Sequence, residues 1–203
     1  MSIRADRETE KNKKGDIVMT REQYIRSNKV AYPLIILTCA VVMVTLFGAL
    51  GQGSATGSVW GQIIGIIISM GISTASFLLK RGEKIGMIGV AFGGALMYFV
   101  VSFLNNNEYI FLYGFVILFV CMTYLNMRLI IWGNSFIVIG FIGHCIRMSM
   151  NGTFTMDLIF MAVITIALCG IGSIGAIRLL LKFNDENVAV ISEKLQSRKR
   201  LLQ

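Results

Sequence analysis

The sequence has little charge and little polar surface for its length. Only 15% of its 203 residues are Asp, Glu, Lys or Arg, whereas 55% are hydrophobic, and the mean hydropathy is +0.71. A water-soluble domain of this size needs more polar residues to cover its surface. The composition therefore excludes an ordinary soluble globular protein and predicts an integral membrane protein.

The sequence also lacks the motifs of common catalytic and metal sites. It has no HExxH, no GxSxG and no P-loop, and its only histidine, His144, stands beside Cys145. Neighbouring residues on a helix point about 100° apart, so these two cannot act as a dyad. The four cysteines lie inside apolar stretches and form no CxxC pair. We therefore expect no enzyme activity, no metal site and no cofactor.

Six apolar stretches cover most of the chain between residues 30 and 181. A helix needs roughly 20 apolar residues to cross about 30 Å of hydrocarbon, and each stretch is close to that length. We therefore predict an all-α, polytopic membrane protein, with a bundle of six transmembrane helices followed by a cytoplasmic C-terminal helix. The predicted spans are Val30–Leu50, Val59–Leu79, Ile85–Leu104, Tyr109–Met127, Leu129–Met150 and Met156–Leu181.

Basic residues are almost missing from one side of this predicted bundle. Eighteen of the 19 Lys and Arg residues fall on the side of the two termini, and only Arg147 falls on the other. The positive-inside rule then predicts a multi-pass plasma-membrane protein with both termini in the cytoplasm. Because the basic residues flank apolar stretches, we assign the net charge of +8 to contacts with anionic lipid rather than with nucleic acid.

The same pattern predicts three regions. Residues 1–29 form a cytoplasmic tail of mixed charge that we expect to be mostly disordered or loosely helical. Residues 30–181 form the membrane domain, and residues 182–203 form a cytoplasmic helix. The predicted external connections are short, so none is long enough to fold by itself. Recognition from outside must therefore occur within the bundle or on its outer rim.

The few ionisable residues near the outer side are the candidate ligand-binding residues, because charged groups inside a membrane are costly and often functional. His144 and Arg147 share a face of the fifth helix at positions i and i+3. Asp157 begins the sixth helix, and Glu108 lies at the outer end of the fourth. These four residues could form a ligand or proton site. The alternative is interfacial snorkelling, with an Arg147–Asp157 ion pair that fixes the turn.

Small residues recur every four positions along the second predicted helix. Such a stripe lets another backbone approach closely. It can serve packing inside the bundle, or it can form a dimer face or a sliding surface. The stripe consists of Gly57, Gly61, Gly65, Ser69 and Ser73.

The segment after the sixth span has an apolar residue every seven positions. This spacing is typical of a short coiled-coil seam, which would continue out of the bundle as an output helix and pair with a second copy. The alternative is an amphipathic helix on anionic lipid. The apolar positions are Leu181, Val188, Leu195 and Leu202, with Ile191 between them.

Three stretches carry a resemblance to a known family. They are REQYIRSNKVAY at 21–32, YIFLYGFVILFVCMTYLNMRLIIWGNS at 109–135 and IRLLLKFNDENV at 177–188. In style and order the chain resembles the six-span N-terminal membrane module of clostridial-type bacterial methyl-accepting chemotaxis proteins. In that family the last helix leads into a methylated signalling hairpin that contacts a histidine kinase and its adaptor. These 203 residues contain no such hairpin, so the resemblance implies either a fragment or a stand-alone relative.

Two functions of different classes follow. The first is a sensor module in the bacterial inner membrane, which passes a stimulus from the outer half of the bundle to a cytoplasmic signalling partner. It would act as a homodimer or larger oligomer. The second is a small-solute transporter, or the substrate-binding subunit of one, which requires a polar cavity near the middle of the membrane. A structural or assembly factor without a ligand is a third reading.

Overall fold

Helices make up all the regular structure in the part of the chain that the computed structural model describes, which is residues 19–53, 57–107, 109–153 and 155–201. They are α1 (Arg21–Gly51), α2 (Gly57–Lys80), α3 (Lys84–Leu104), α4 (Leu112–Met122), α5 (Met127–Met150) and α6 (Met156–Leu201). Five of them are long and apolar enough to cross a membrane, and α4 is shorter. The predicted all-α class and its membrane-type helices are confirmed.

The first helix begins before the predicted span. Thr20 caps it, because the Thr20 hydroxyl accepts a bond from the Gln23 backbone N–H at 3.3 Å. The Gln23 side chain in turn accepts one from the Thr20 N–H at 2.8 Å. This reciprocal capping box starts α1 at Arg21 rather than at Val30. Residues 21–29 of the predicted tail are therefore helical, and residues 1–18 lie outside the described part of the chain.

The fourth helix is shorter than the predicted span Tyr109–Met127. Asn105 and Asn107 side chains each accept a bond from the backbone two residues on, which holds the preceding segment in turns rather than helix. At the other end Leu125 has a left-handed φ of 46°, and the chain reverses there. Asn126 then caps α5 by accepting from two backbone N–H groups. These turns leave 11 residues of α-helix.

The helices do not pack equally. The most extensive contact joins α2 and α3, and α1 packs against α2, α3 and α4. The fifth helix packs against α3 and α4, and among the described residues α6 contacts only α4 and α5. The core is centred on α3, which buries 11 of its 21 residues.

Polar side chains tie the helices together at the two ends of the bundle. At one end Asn28, fully buried, donates to the Arg81 carbonyl at 2.7 Å and accepts from the Tyr124 hydroxyl at 2.5 Å. At the other end Gln62 donates to the Leu104 carbonyl at 3.1 Å and accepts from Asn105 at 2.9 Å. At each end, hydrogen bonds thus join segments that lie far apart in the sequence. We call these the Asn28 end and the Gln62 end.

Candidate functional site

His144 lies in α5 near the Gln62 end and reaches across to α3. Its side chain is 1% exposed, and its Nδ1 lies 3.1 Å from the Ser102 carbonyl oxygen. Ser102 is in the last turn of α3, where backbone carbonyls have no partner within the helix. His144 from α5 and Gln62 from α2 therefore bond two of these carbonyls, at Ser102 and Leu104. Together they fix the end of α3.

The hydrogen bond of His144 determines what its other ring nitrogen can do. A carbonyl oxygen only accepts, so Nδ1 carries the hydrogen and Nε2 of the neutral ring is an acceptor. Nε2 is buried and has no hydrogen-bonding partner in the described part of the chain, and neither has the buried Ser102 hydroxyl. The Arg147 charge and the backbone of Asn107 both lie close to the ring. The site can therefore accept a hydrogen bond or a proton.

Two glycines allow α5 to approach α3 at this site. A side chain at Gly140 would overlap the Tyr98 ring, and one at Gly143 would overlap the Phe103 ring. Tyr98 is fully buried and donates to the Ile137 carbonyl at 3.2 Å. The aromatic rings of α3 thus fill the space that the glycines leave, which brings His144 within reach of Ser102.

Arg147 is fixed by the connection between α3 and α4. Its Nε donates to the Asn106 side-chain oxygen at 2.9 Å, and Asn151 donates to the same oxygen at 2.8 Å. Asp157 is exposed in the first turn of α6, and within the described residues no ion pair joins it to Arg147. Glu108 lies outside the described residues. Of the four predicted ligand residues, His144 and Arg147 thus lie one turn apart on α5, and Asp157 forms no ion pair with Arg147 in the described part of the chain.

The small-residue stripe of α2 faces α3 over most of its length. A side chain at Gly61 would meet Leu104 at 3.0 Å, and one at Gly65 would overlap Val100. Ser69 and Ser73 are buried, and a side chain at Gly93 of α3 would overlap both. A side chain added at Gly57, by contrast, would meet no atom of the described chain within 4 Å. This geometry corresponds to packing inside the bundle from Gly61 to Ser73.

The predicted output positions lie on the distal part of α6. Val188 and Ile191 are 58% and 59% exposed, and Leu181 is half-buried. The side chain of Leu195 and all of Leu202 lie outside the described part. The seam therefore stays a prediction, although the described helix is continuous through Leu201.

The contact between α5 and α6 is narrow. Among the described side chains of α6, only Ala162, Ser173 and Ile177 are buried. Asn134 of α5 donates to the Ser173 hydroxyl at 3.1 Å and to its own helix at Ile130. Nearer the Gln62 end, Ala162 packs in a small cluster with Phe111 and Phe141. One polar contact, one aromatic cluster and the burial of Ile177 in the main core thus hold α6 to the bundle.

Sequence reasoning missed the partners of the residues that it selected. Ser102 and Asn106 bond His144 and Arg147, and Asn28 organises the opposite end. The run Asn105–Asn107 was a usable signal, because three amides at a predicted turn can cap several helices. No sequence signal pointed to Ser102, because His144 contacts its backbone carbonyl rather than its side chain.

Comparisons with known proteins identify no relative: no family model, curated protein or solved structure matches the chain. Within the residues described, no three His, Cys, Asp or Glu side chains lie close enough to hold a metal ion. The function must therefore be inferred from the geometry alone.

Proposed function

We propose that the chain is a non-enzymatic sensor module of a bacterial plasma membrane, with six membrane crossings and both termini in the cytoplasm. A stimulus at His144 and Arg147 would alter α5 relative to α3 and α6. The α6 helix would transmit this change to a cytoplasmic signalling partner. The protein would act as a homodimer. The observation that carries this proposal is the length and continuity of α6.

The sixth helix is much longer than a membrane crossing requires. Its 46 residues extend for about 69 Å at 1.5 Å per residue, against about 30 Å of hydrocarbon. The excess of about 39 Å begins near the first charged residues after the apolar part, Arg178 and Lys182. A continuous helix of this kind can carry a shift or rotation from inside the membrane to a partner outside it.

The turns on both sides of α4 support six crossings. Bonds of the i→i+3 type link Tyr109 to Leu112 at one end and Met122 to Leu125 at the other. Eleven α-helical residues with two such turns extend for about 28 Å, close to the thickness of the hydrocarbon. The Gln62 end, which holds Arg147 as its only basic residue in the described chain, then faces outward.

The stimulus would reach α6 through α5. One face of α5 carries His144 against α3, and other positions carry Phe141 and Asn134 against α6. Occupation or protonation of His144 Nε2 changes the contact with the Ser102 end of α3. Because packed helices shift as units, by about 1–2 Å at known switching interfaces, α5 would transmit the change to its contacts with Ala162 and Ser173.

The alternative of a solute transporter receives no support from the described cavities. A carrier of polar solutes needs polar groups around a central space, whereas a cavity of about 410 Å³ between α3, α4 and α5 is lined mainly by apolar side chains.

Disulfide cross-linking of α6 tests the proposal. In a chain whose native cysteines are replaced by alanine, Val188→Cys should form a disulfide between two copies, because it lies on the predicted seam. Glu186→Cys is the matched control, being exposed on the same helix about 200° away. We expect Val188→Cys to cross-link at least several-fold faster, and His144→Gln to change its rate.

Two results would count against the proposal. Equal cross-linking at both positions would contradict the predicted coiled-coil seam and the proposed dimer. If His144→Gln leaves the cross-linking rate of Val188→Cys unchanged, α6 does not respond to a change at His144. Reporter fusions after residues 53, 107 and 203 independently test the orientation, and we expect external, external and cytoplasmic signals.

A further inference from the structure

A lateral groove between α3, α4 and α5 lies at the Asn28 end, away from His144. Its volume of about 410 Å³ falls within the range typical of small-molecule sites. The floor consists of small or buried residues, including Ala91, Ala95 and Gly133. The lips are large and exposed: Phe92 is 49% exposed and Trp132 is 63% exposed. The groove thus opens sideways, toward the hydrocarbon in the proposed orientation.

Charge is concentrated at one end of this groove. Lys84, at the first position of α3, and Arg128, at the second position of α5, border the groove together with Asn126. The rest of the lining is apolar. Both cations lie at the level where α3 and α5 begin, which is the cytoplasmic interface in the proposed orientation. An apolar slot with a basic mouth is complementary to a molecule with an apolar chain and an anionic head.

The length of the groove selects one class of such molecules. Along α3 it runs from Lys84 to Ala95, about 16 Å at 1.5 Å per residue. One leaflet of the hydrocarbon is about 15 Å thick. A chain seated in the groove would therefore reach from the interface to the middle of the membrane, as a phospholipid acyl chain does.

We propose that this groove binds an anionic phospholipid of the cytoplasmic leaflet, with one acyl chain over Ala91, Ala95 and Gly133 and its phosphate between Lys84 and Arg128. The inference rests on the proposed membrane insertion but not on signalling through α6. It assigns a second site to the chain, at the opposite end from His144.

Tryptophan quenching tests this proposal on the full-length protein in vesicles. The chain has two tryptophans, Trp60 and Trp132, so Trp60→Phe leaves the one at the groove. Brominated phosphatidylglycerol at low mole fraction should quench Trp132 several-fold more effectively than brominated phosphatidylcholine. Lys84→Gln and Arg128→Gln should each reduce this preference, by about fivefold where the full electrostatic contribution of one basic residue is lost.

Three matched controls complete the design. Trp132→Phe leaves exposed Trp60 near the Gln62 end, and its quenching should not depend on the headgroup. Lys80→Gln with Arg81→Gln removes two charges at the same end of the bundle but outside the groove lining, and should preserve the preference of Trp132. Ala91→Leu, which narrows the groove, should abolish that preference in protein that still elutes as a single species.

The outcomes separate the failures. Equal quenching of Trp132 by both lipids, with normal quenching of Trp60, would overturn the lipid site but leave membrane insertion intact. Absence of quenching at both tryptophans would contradict insertion itself. Relief of the quenching by excess inorganic phosphate would show a soluble-anion site and overturn the proposal. Unchanged preference in both single charge variants would overturn the role of the basic mouth.

Discussion

The pair α2–α3 and the helix α6 are built from similar apolar residues, yet they pack very differently. Between α2 and α3, glycine and serine residues bring the backbones close together. A Cβ atom added at Gly93 would lie only 2.8 Å from the Ser69 carbonyl oxygen. Along α6, by contrast, a side chain added at Gly172 or Gly175 would meet no atom of the described chain within 4 Å. At Gly170 alone among the glycines of α6 would an added side chain overlap α5, at 2.9 Å from the Asn134 side-chain oxygen. Small residues thus serve close packing along most of the α2–α3 interface but only locally along α6.

The difference indicates which part of the molecule can move. A close-packed helix pair loses dispersion contacts along its whole length when it shifts, whereas α6 has few buried side chains to lose. Hydrophobic burial does not drive helices together within lipid, so packing and polar contacts decide the stability of each interface. Packing therefore holds α1–α3 more firmly than α6, and in the proposed function α6 is the helix that responds.

The largest effect should come from filling the α2–α3 interface. Gly93→Leu places a branched side chain against Ser69 and Ser73, and we expect a loss of about 3 kcal/mol or more in the free energy of unfolding. In detergent solution this corresponds to a fall of about 6–12 °C in melting temperature.

The matched control for Gly93→Leu is Gly172→Leu, which adds the same side chain to α6 in open space. We expect its melting temperature to stay within about 2 °C of the native value, since surface substitutions usually change stability little. If Gly93→Leu yields no folded protein, Gly93→Ala supplies a smaller step in the same direction. Equal melting temperatures for the two leucine variants would show that α2 and α3 are packed no more closely than α6.

A smaller effect should follow from removing the cap on α3. His144→Leu leaves the Ser102 carbonyl without its side-chain partner, and we expect a loss of about 2 kcal/mol, or about 4–8 °C. His144→Gln keeps a donor and should recover part of this loss. If both variants have the melting temperature of the native protein, the His144–Ser102 hydrogen bond does not contribute to stability.

The smallest effect should be at the contact between α5 and α6. Ser173→Ala removes the acceptor of the Asn134 amide, and hydrogen bonds between membrane helices contribute about 0.6 kcal/mol on average. We therefore expect a fall of only about 1–2 °C in melting temperature. Ser135→Ala, whose hydroxyl bonds only its own helix at Ile131, is the control. A fall as large as that of His144→Leu would mean that α6 is as firmly held as α1–α3.

Long apolar runs were sufficient to predict that these segments are helical. The scarcity of ionisable residues singled out His144 and Arg147, whose role as a ligand site stays a prediction. The beginning of α1 was missed because Thr20 and Gln23 form a capping box within a charged segment that was judged only by its hydropathy. The extent of α4 was missed because asparagine turns before it and the left-handed Leu125 after it shorten the helix within a largely apolar run.

The partners of the site could not be predicted, for a physical reason. His144 bonds a backbone carbonyl at Ser102, and every residue has such a carbonyl, so the side-chain sequence holds no signal for it. The groove at Lys84 and Arg128 was missed for a similar reason. It is lined by the small residues Ala91, Ala95 and Gly133, which lie on two different helices. These residues form a cavity only because the two helices pack in a particular register.

Distances between spin labels on neighbouring helices test whether α6 responds to a change at His144 while the α2–α3 pair stays fixed. The pair Ile139→Cys and Ile171→Cys reports on α5 and α6, and the pair Ile68→Cys and Ile88→Cys reports on α2 and α3; all four native side chains are exposed. We expect His144→Gln to shift the α5–α6 distance by about 1–2 Å and to leave the α2–α3 distance unchanged. Identical, unshifted distributions for both pairs would contradict this expectation.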